Sequence, residues 1–213
     1  MSPLTRMSLW VSVATGLYGI SFGALAIAAG LNVWQTQLLS LAMFTGGSQF
    51  AFAASIAGGG WAAVAAASLM GVRNAIYGAQ MNAELKPRGW RRLAAAHISI
   101  DESVAVCLTQ TDRVERARGF WLTGWGVFLC WNLMTLLGAV TTSQLDPRAW
   151  GLDGAAVAAF IGLLWPRLRS REAAATAGAA AVAAVAVTPW LPIGTPILVA
   201  AVVSAAMGWR YDR

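Results

Sequence analysis

Trp61-Ala62-Ala63-Val64-Ala65-Ala66-Ala67-Ser68-Leu69-Met70-Gly71-Val72-Arg73-Asn74-Ala75-Ile76-Tyr77-Gly78-Ala79-Gln80-Met81 is an apolar run with one arginine near its middle. It has the ~20 residues that an α-helix needs to cross a bilayer. Holding a guanidinium at that depth costs about 2.5–3.5 kcal/mol on insertion scales, and such groups line substrate or ion paths or pair with an internal acid. Arg73, Tyr77 and Gln80 follow i, i+4, i+7 and share one helical face. The acids available as structural partners are Asp101, Glu102 and Asp153. A guanidinium suits a fixed charge that forks onto a carboxylate better than it suits a proton relay.

The remainder of the chain matches this run. It has 213 residues, 58% hydrophobic and 11% charged, with a mean hydropathy of +0.60, which leaves too little polar surface for a soluble domain. The net charge of +6 sits in short basic clusters between apolar stretches, a topology signal rather than a nucleic-acid groove. Cys107 and Cys130 lie in apolar segments without metal-type spacing, and neither a disulfide nor a ligand role is assigned. No cofactor motif is present. The first apolar stretch, with Ala24-Leu25-Ala26, imitates a signal peptide, but its length and the spans that follow predict a retained helix.

Tryptophans near the ends of apolar stretches mark the interfaces and predict spans at about 9–30, 35–57, 61–83, 120–141, 153–166, 172–189 and 193–209. The expected fold is an all-α polytopic membrane bundle, residues 1–213 forming one transporter-like domain. Segment 93–111, interrupted by His97, Asp101 and Glu102, is expected to be re-entrant or interfacial. That placement puts Lys86, Arg88, Arg91, Arg92, Arg113, Arg116, Arg118, Arg167, Arg169, Arg171, Arg210 and Arg213 on one face and leaves Arg6 and Arg148 opposite. By the positive-inside rule the N-terminus is then outside and the C-terminus cytoplasmic. On the first span Gly16, Gly19, Gly23, Ala26 and Gly30 recur at three and four, a seam for close helix packing.

Phe44-Thr45-Gly46-Gly47-Ser48-Gln49-Phe50 puts adjacent glycines and polar side chains inside the second span. One reading is a broken helix whose free N–H groups around Gly46, Gly47, Ser48 and Gln49 receive a substrate carboxylate. The other is a continuous helix with small residues for packing. Ser99 and Glu102 fit a capping box, whereas His97 and Asp101, four apart, would form a proton relay on a shared face; the two readings exclude each other, and the cap is preferred. Asp101 then remains a proton-carrier candidate. Asp153 precedes a short span at an N-cap position. Two irregular elements, one in each half, match a transport site between repeats. Gly46-Gly47-Ser48 also fits a Gly-x-Ser nucleophile with His97 as base, and a non-transporting subunit of a larger membrane complex is a third reading. The expectation is that the chain is not an enzyme.

These motifs resemble the AzlC family of branched-chain amino-acid permeases. The resemblance rests on Gly19-Ile20-Ser21-Phe22-Gly23 with Ala28-Ala29-Gly30-Leu31, on Gly47-Ser48-Gln49-Phe50, on Arg73 with Tyr77-Gly78, on Asp101-Glu102, and on Leu152-Asp153 with Phe160 and Pro166. Gly71, Asn74 and Gly154 depart from the residues usual there. The resemblance implies a bacterial inner-membrane exporter of branched-chain or similar amino acids, driven by a proton gradient, and a small AzlD-type membrane subunit as partner. In that reading Gly46, Gly47, Ser48, Gln49, Arg73 and Tyr77 bind substrate, and Asp101, Glu102 and Asp153 couple protons. Membrane lipid is the surrounding medium, and no nucleic acid is involved.

Overall fold

The computed structural model describes residues 1–56, 59–144, 161, 165, 168–191 and 195–211. Asp153 and the predicted short span 153–166 therefore lie largely or wholly outside the described residues. Among those described the chain is helical, without strands: α1 Pro3–Ala28, α2 Val33–Ala42, α3 Gly46–Ser55, α4 Gly60–Leu85, α5 Trp90–His97, α6 Asp101–Leu108, α7 Arg113–Ser143, α8 Arg171–Val187 and α9 Pro196–Tyr211. Among the described residues two helices, α1 and α7, are long and apolar enough to cross a membrane. α4 matches the predicted 61–83 but carries Arg73, Asn74, Gln80, Asn82 and Glu84. Trp34, Trp61 and Trp90 begin α2, α4 and α5 and are exposed, as interfacial rings are.

The glycine seam is the contact of α1 with α7. A Cβ built on Gly16 would stand 2.5 Å from that of Cys130, and one on Gly19 would stand 2.5 Å from the Trp131 carbonyl. Gly23 meets the Thr135 carbonyl and Gly138 that of Ile20, still closer. The backbones touch without side chains between them, as small residues permit in membrane helices. Gly30 is not part of this seam: at φ +95° it has no neighbour within 4 Å of a Cβ. It ends α1 instead, its N–H on the Ile27 carbonyl and that of Leu31 on the Ala26 carbonyl, the Schellman pattern that favours glycine. Gly138→Leu is expected to separate α1 from α7 and to cost at least the about 3 kcal/mol of a badly overpacked core. Size-exclusion chromatography of the detergent-extracted protein reads this directly; an unchanged monodisperse peak and melting point would refute the seam.

The predicted second span is two helices. α2 ends at Ala42 and α3 begins at Gly46, with Met43, Phe44 and Thr45 between them. Segment 93–111 is likewise broken, α5 ending at His97 and α6 starting at Asp101. Both ends of the α5–α6 pair lie at one end of the bundle. Arg116, at the start of α7, donates to Glu84 at the end of α4 (2.7 Å) and to the Gln110 carbonyl just beyond α6 (2.7 Å). The middle of the pair reaches Asn74, whose amide donates to the Ser99 carbonyl at 3.1 Å. Asn74 is ten residues before Glu84 on α4, roughly 15 Å along the helix at 1.5 Å per residue. The α5–α6 pair thus runs from the Glu84 end of α4 to the level of Asn74 and back.

Ser99 and Glu102 do not form the expected capping box. The N-cap of α6 is Ile100, whose N–H donates to the Ser103 hydroxyl at 3.1 Å. The Ser99 hydroxyl is committed backwards, to the Ala95 carbonyl at 2.7 Å. Asp101 and Glu102 fill the first turn of α6. His97 closes the preceding helix, so the break denies it a shared helical face with Asp101.

Candidate functional site

The two breaks converge on the middle of α4. The Thr45 hydroxyl donates to Asn74 Oδ1 at 3.2 Å while Asn74 Nδ2 donates to Ser99, so one amide ties both breaks together. Beside it, Arg73 Nη1 donates to Asp101 Oδ2 at 2.6 Å. Arg73 Nη2 lies 3.1 Å from where a Gly47 Cβ would be, which places the guanidinium against the first turn of α3. Two half-helix N-termini, those of α3 and α6, therefore meet at one arginine.

They differ in charge. The first turn of α6 carries Asp101 and Glu102, which answer its own dipole, whereas that of α3 carries no acid. The leading N–H groups of a helix have no carbonyl a turn earlier to bond, and the partial positive charge at such an end favours an anion.

A cavity of about 350 Å³ opens at this junction, within the size range of small-molecule sites. Gly46, Gly47, Arg73, Asn74, Asp101 and Glu102 supply its polar wall, with Thr15 and Tyr18 from α1. Phe44, Phe50, Val127 and Trp131 are among its apolar lining. Glu102 is met by the Thr15 hydroxyl, 3.4 Å from Oε1.

Of the residues singled out in the sequence, the structure brings Gly46, Gly47, Arg73, Asp101 and Glu102 to this cavity. Gln49 is fully buried away from it. Its Nε2 donates to the Met43 carbonyl at 2.6 Å and the Ser40 carbonyl at 3.3 Å, and its Oε1 accepts from Trp131 Nε1 at 2.8 Å. The side chain braces the end of α2. Ser48 is buried near Gly71, and Tyr77 packs beside Met81, Ile98 and Phe120 rather than at the cavity. The His97 ring lies against Phe44 and Phe128, not Ser48, at centroid separations of 5.9 and 5.5 Å.

Asn74, Thr15 and Trp131 were not read as site residues. Asn74, a second polar group beside Arg73 in an apolar run, carried a signal. Trp131 did too: it lies mid-helix, where an interfacial ring has no reason to be, and it is buried against Phe22 and Phe50.

The family model described as AzlC protein matches residues 11–145, which contain both breaks and every residue lining the cavity. The chain belongs to the AzlC family. It is accordingly a membrane protein of a family tied to amino-acid transport. No curated protein and no solved structure matches this AzlC chain.

Proposed function

We propose that this AzlC protein is an exporter of branched-chain or other small apolar amino acids, working by alternating access with proton coupling. The observation that carries the reading is the cavity at the two breaks. One wall offers an acid-free helix N-terminus and Arg73 for a carboxylate; another is aromatic and aliphatic, for an uncharged side chain. Discontinuous helices meeting at mid-bundle are where transporters bind their substrates. Gly46, Gly47 and Arg73 hold the substrate carboxylate, with Gln49 supporting the break. Asp101 and Glu102 are the coupling acids that line the cavity; Asp153 stays a candidate from the sequence alone.

The arrangement we propose in the bacterial inner membrane has about seven spans, α5–α6 re-entrant, the N-terminus outside and the C-terminus cytoplasmic. The partner is a small AzlD-type membrane subunit. This reading gives the protein no enzymatic role, and the separate surroundings of Ser48 and His97 speak against the serine-protease alternative, because a nucleophile requires its base within hydrogen-bond reach.

The test is flux of labelled valine, isoleucine and methionine in proteoliposomes, with and without the small subunit, under an imposed pH gradient. Gradient-dependent flux requiring both subunits is the expected result. Absence of flux for every amino acid, with a folded complex, would overturn the reading.

A further inference from the structure

The charges lining the cavity do not balance. Among the described residues they are Arg73, Asp101 and Glu102. Arg73 and Asp101 touch at 2.6 Å, which leaves the Glu102 carboxylate a backbone hydrogen bond and a share of the Arg73 field but no cation of its own. Its side-chain partner, the Thr15 hydroxyl at 3.4 Å, is beyond the 2.5–3.0 Å typical of O–H···O bonds and carries no charge. The N-terminus of α6 supplies roughly half a positive charge, shared between two carboxylates. Tyr18 is the other titratable group in the wall; α3 and α7 present none there. An ionised carboxylate in such a site needs a counter-charge or a proton, because removing it from water costs several kcal/mol.

Resting on the transport reading above, we propose that Glu102 is one site used alternately by a proton and by the ammonium group of the transported amino acid. With its carboxylate at Gly46, Gly47 and Arg73, a bound α-amino acid has its ammonium one carbon away. Glu102 lines the same cavity as Gly46, Gly47 and Arg73, and because Asp101 is already engaged by Arg73, Glu102 is the wall carboxylate left to receive the ammonium. Without substrate, the carboxyl keeps its proton and is neutral. When the amino acid binds, that proton leaves to water on the open side, and the carboxylate accepts N–H bonds from the ammonium. The form with neither proton nor substrate holds a carboxylate without a counter-ion of its own and is the costly one. The carrier therefore crosses loaded with one or the other, which makes the exchange obligatory and gives an inward proton gradient the power to drive export.

The experiment measures leucine binding to the full chain, with its partner subunit, in nanodiscs between pH 5 and pH 9, with proton release followed by a dye in weak buffer. The wild-type Kd is expected to rise toward acid pH, approaching about tenfold per unit as linkage of one proton requires. Release approaches one proton per leucine at the acid end. The deaminated analogue 4-methylpentanoate binds without releasing a proton. Glu102→Gln abolishes both the pH dependence and the release, and Glu102→Asp keeps them; the wild-type and Glu102→Asp measurements stand even if Glu102→Gln fails to fold. Leucine binding without proton release overturns the shared site and leaves the transport reading intact. So does release that persists in Glu102→Gln, or that disappears in Asp101→Asn alone. A folded complex that binds no amino acid removes both.

Discussion

Gln49→Ala is expected to collapse the break between α2 and α3 and to lower stability by about 3 kcal/mol or more. The change strips the Ser40 and Met43 carbonyls and the Trp131 indole N–H of one shared partner. Each buried polar group left unsatisfied costs about 1–3 kcal/mol, and the low dielectric around α3 raises rather than relieves the cost. Relaxation of the last turn of α2 recovers part of it. Gln49→Glu is expected to fare no better, since it keeps an acceptor for Trp131 but removes the donor from both carbonyls and buries a charge. Ser48→Ala is the contrasting variant. Its hydroxyl, also buried, has no hydrogen-bond partner, so melting should shift little and transport should persist. Heating the detergent-solubilised proteins and following the remaining monodisperse peak measures all three. Wild-type melting of Gln49→Ala together with weakened substrate binding would show instead that Gln49 contacts the substrate, as the sequence reading had it.

The contrast between Gln49 and Arg73 shows what was legible in the chain. Membrane character, the helices at 9–30, 61–83 and 120–141, and the interruption of 93–111 followed from hydropathy and charge, which act residue by residue. The Gly46-Gly47 pair made a break one of two open readings, because glycine weakens a helix wherever it stands. What Gln49 does with its amide was not legible: that depends on where α7 brings Trp131, a contact across 82 positions of sequence. The exact cap of the second break, Ile100 rather than Ser99, was hidden for a related reason. Ser99, Asp101, Glu102 and Ser103 offer several local capping patterns of similar strength. Asn74, reaching from α4 to the Ser99 carbonyl, favours the one in which Ile100 is the N-cap. Likewise Gly30 repeats at the right interval for the seam, but a positive φ serves chain reversal, and interval alone does not separate the two uses.

Arg73→Ala is expected to abolish transport, and a second substitution tells why. The sequence left two roles for this guanidinium, partner of an internal acid or ligand of the substrate, and the geometry gives it both neighbours. Nη1 is on Asp101, and Nη2 is beside Gly47 at the first turn of α3. Removing the arginine strands the Asp101 carboxylate. In a pair with side-chain exposures of 33% and 23%, the cost is intermediate between a surface bridge and a buried one, about 1–3 kcal/mol. Asp101→Asn introduced together with Arg73→Ala removes the stranded charge, so the double variant should regain most of the lost melting temperature. It should not regain transport. A charge-assisted contact to a carboxylate contributes about 1.5–3 kcal/mol, so substrate affinity should remain roughly 10- to 100-fold weaker in both variants. Arg73→Lys should restore part of the stability and little of the affinity, because one ammonium cannot face Asp101 and the α3 N-terminus in the way a planar fork does. The measurements are melting temperature and leucine Kd on the same preparations. Recovery of affinity in the double variant would make Arg73 a structural counter-charge and move the carboxylate site wholly onto the α3 backbone.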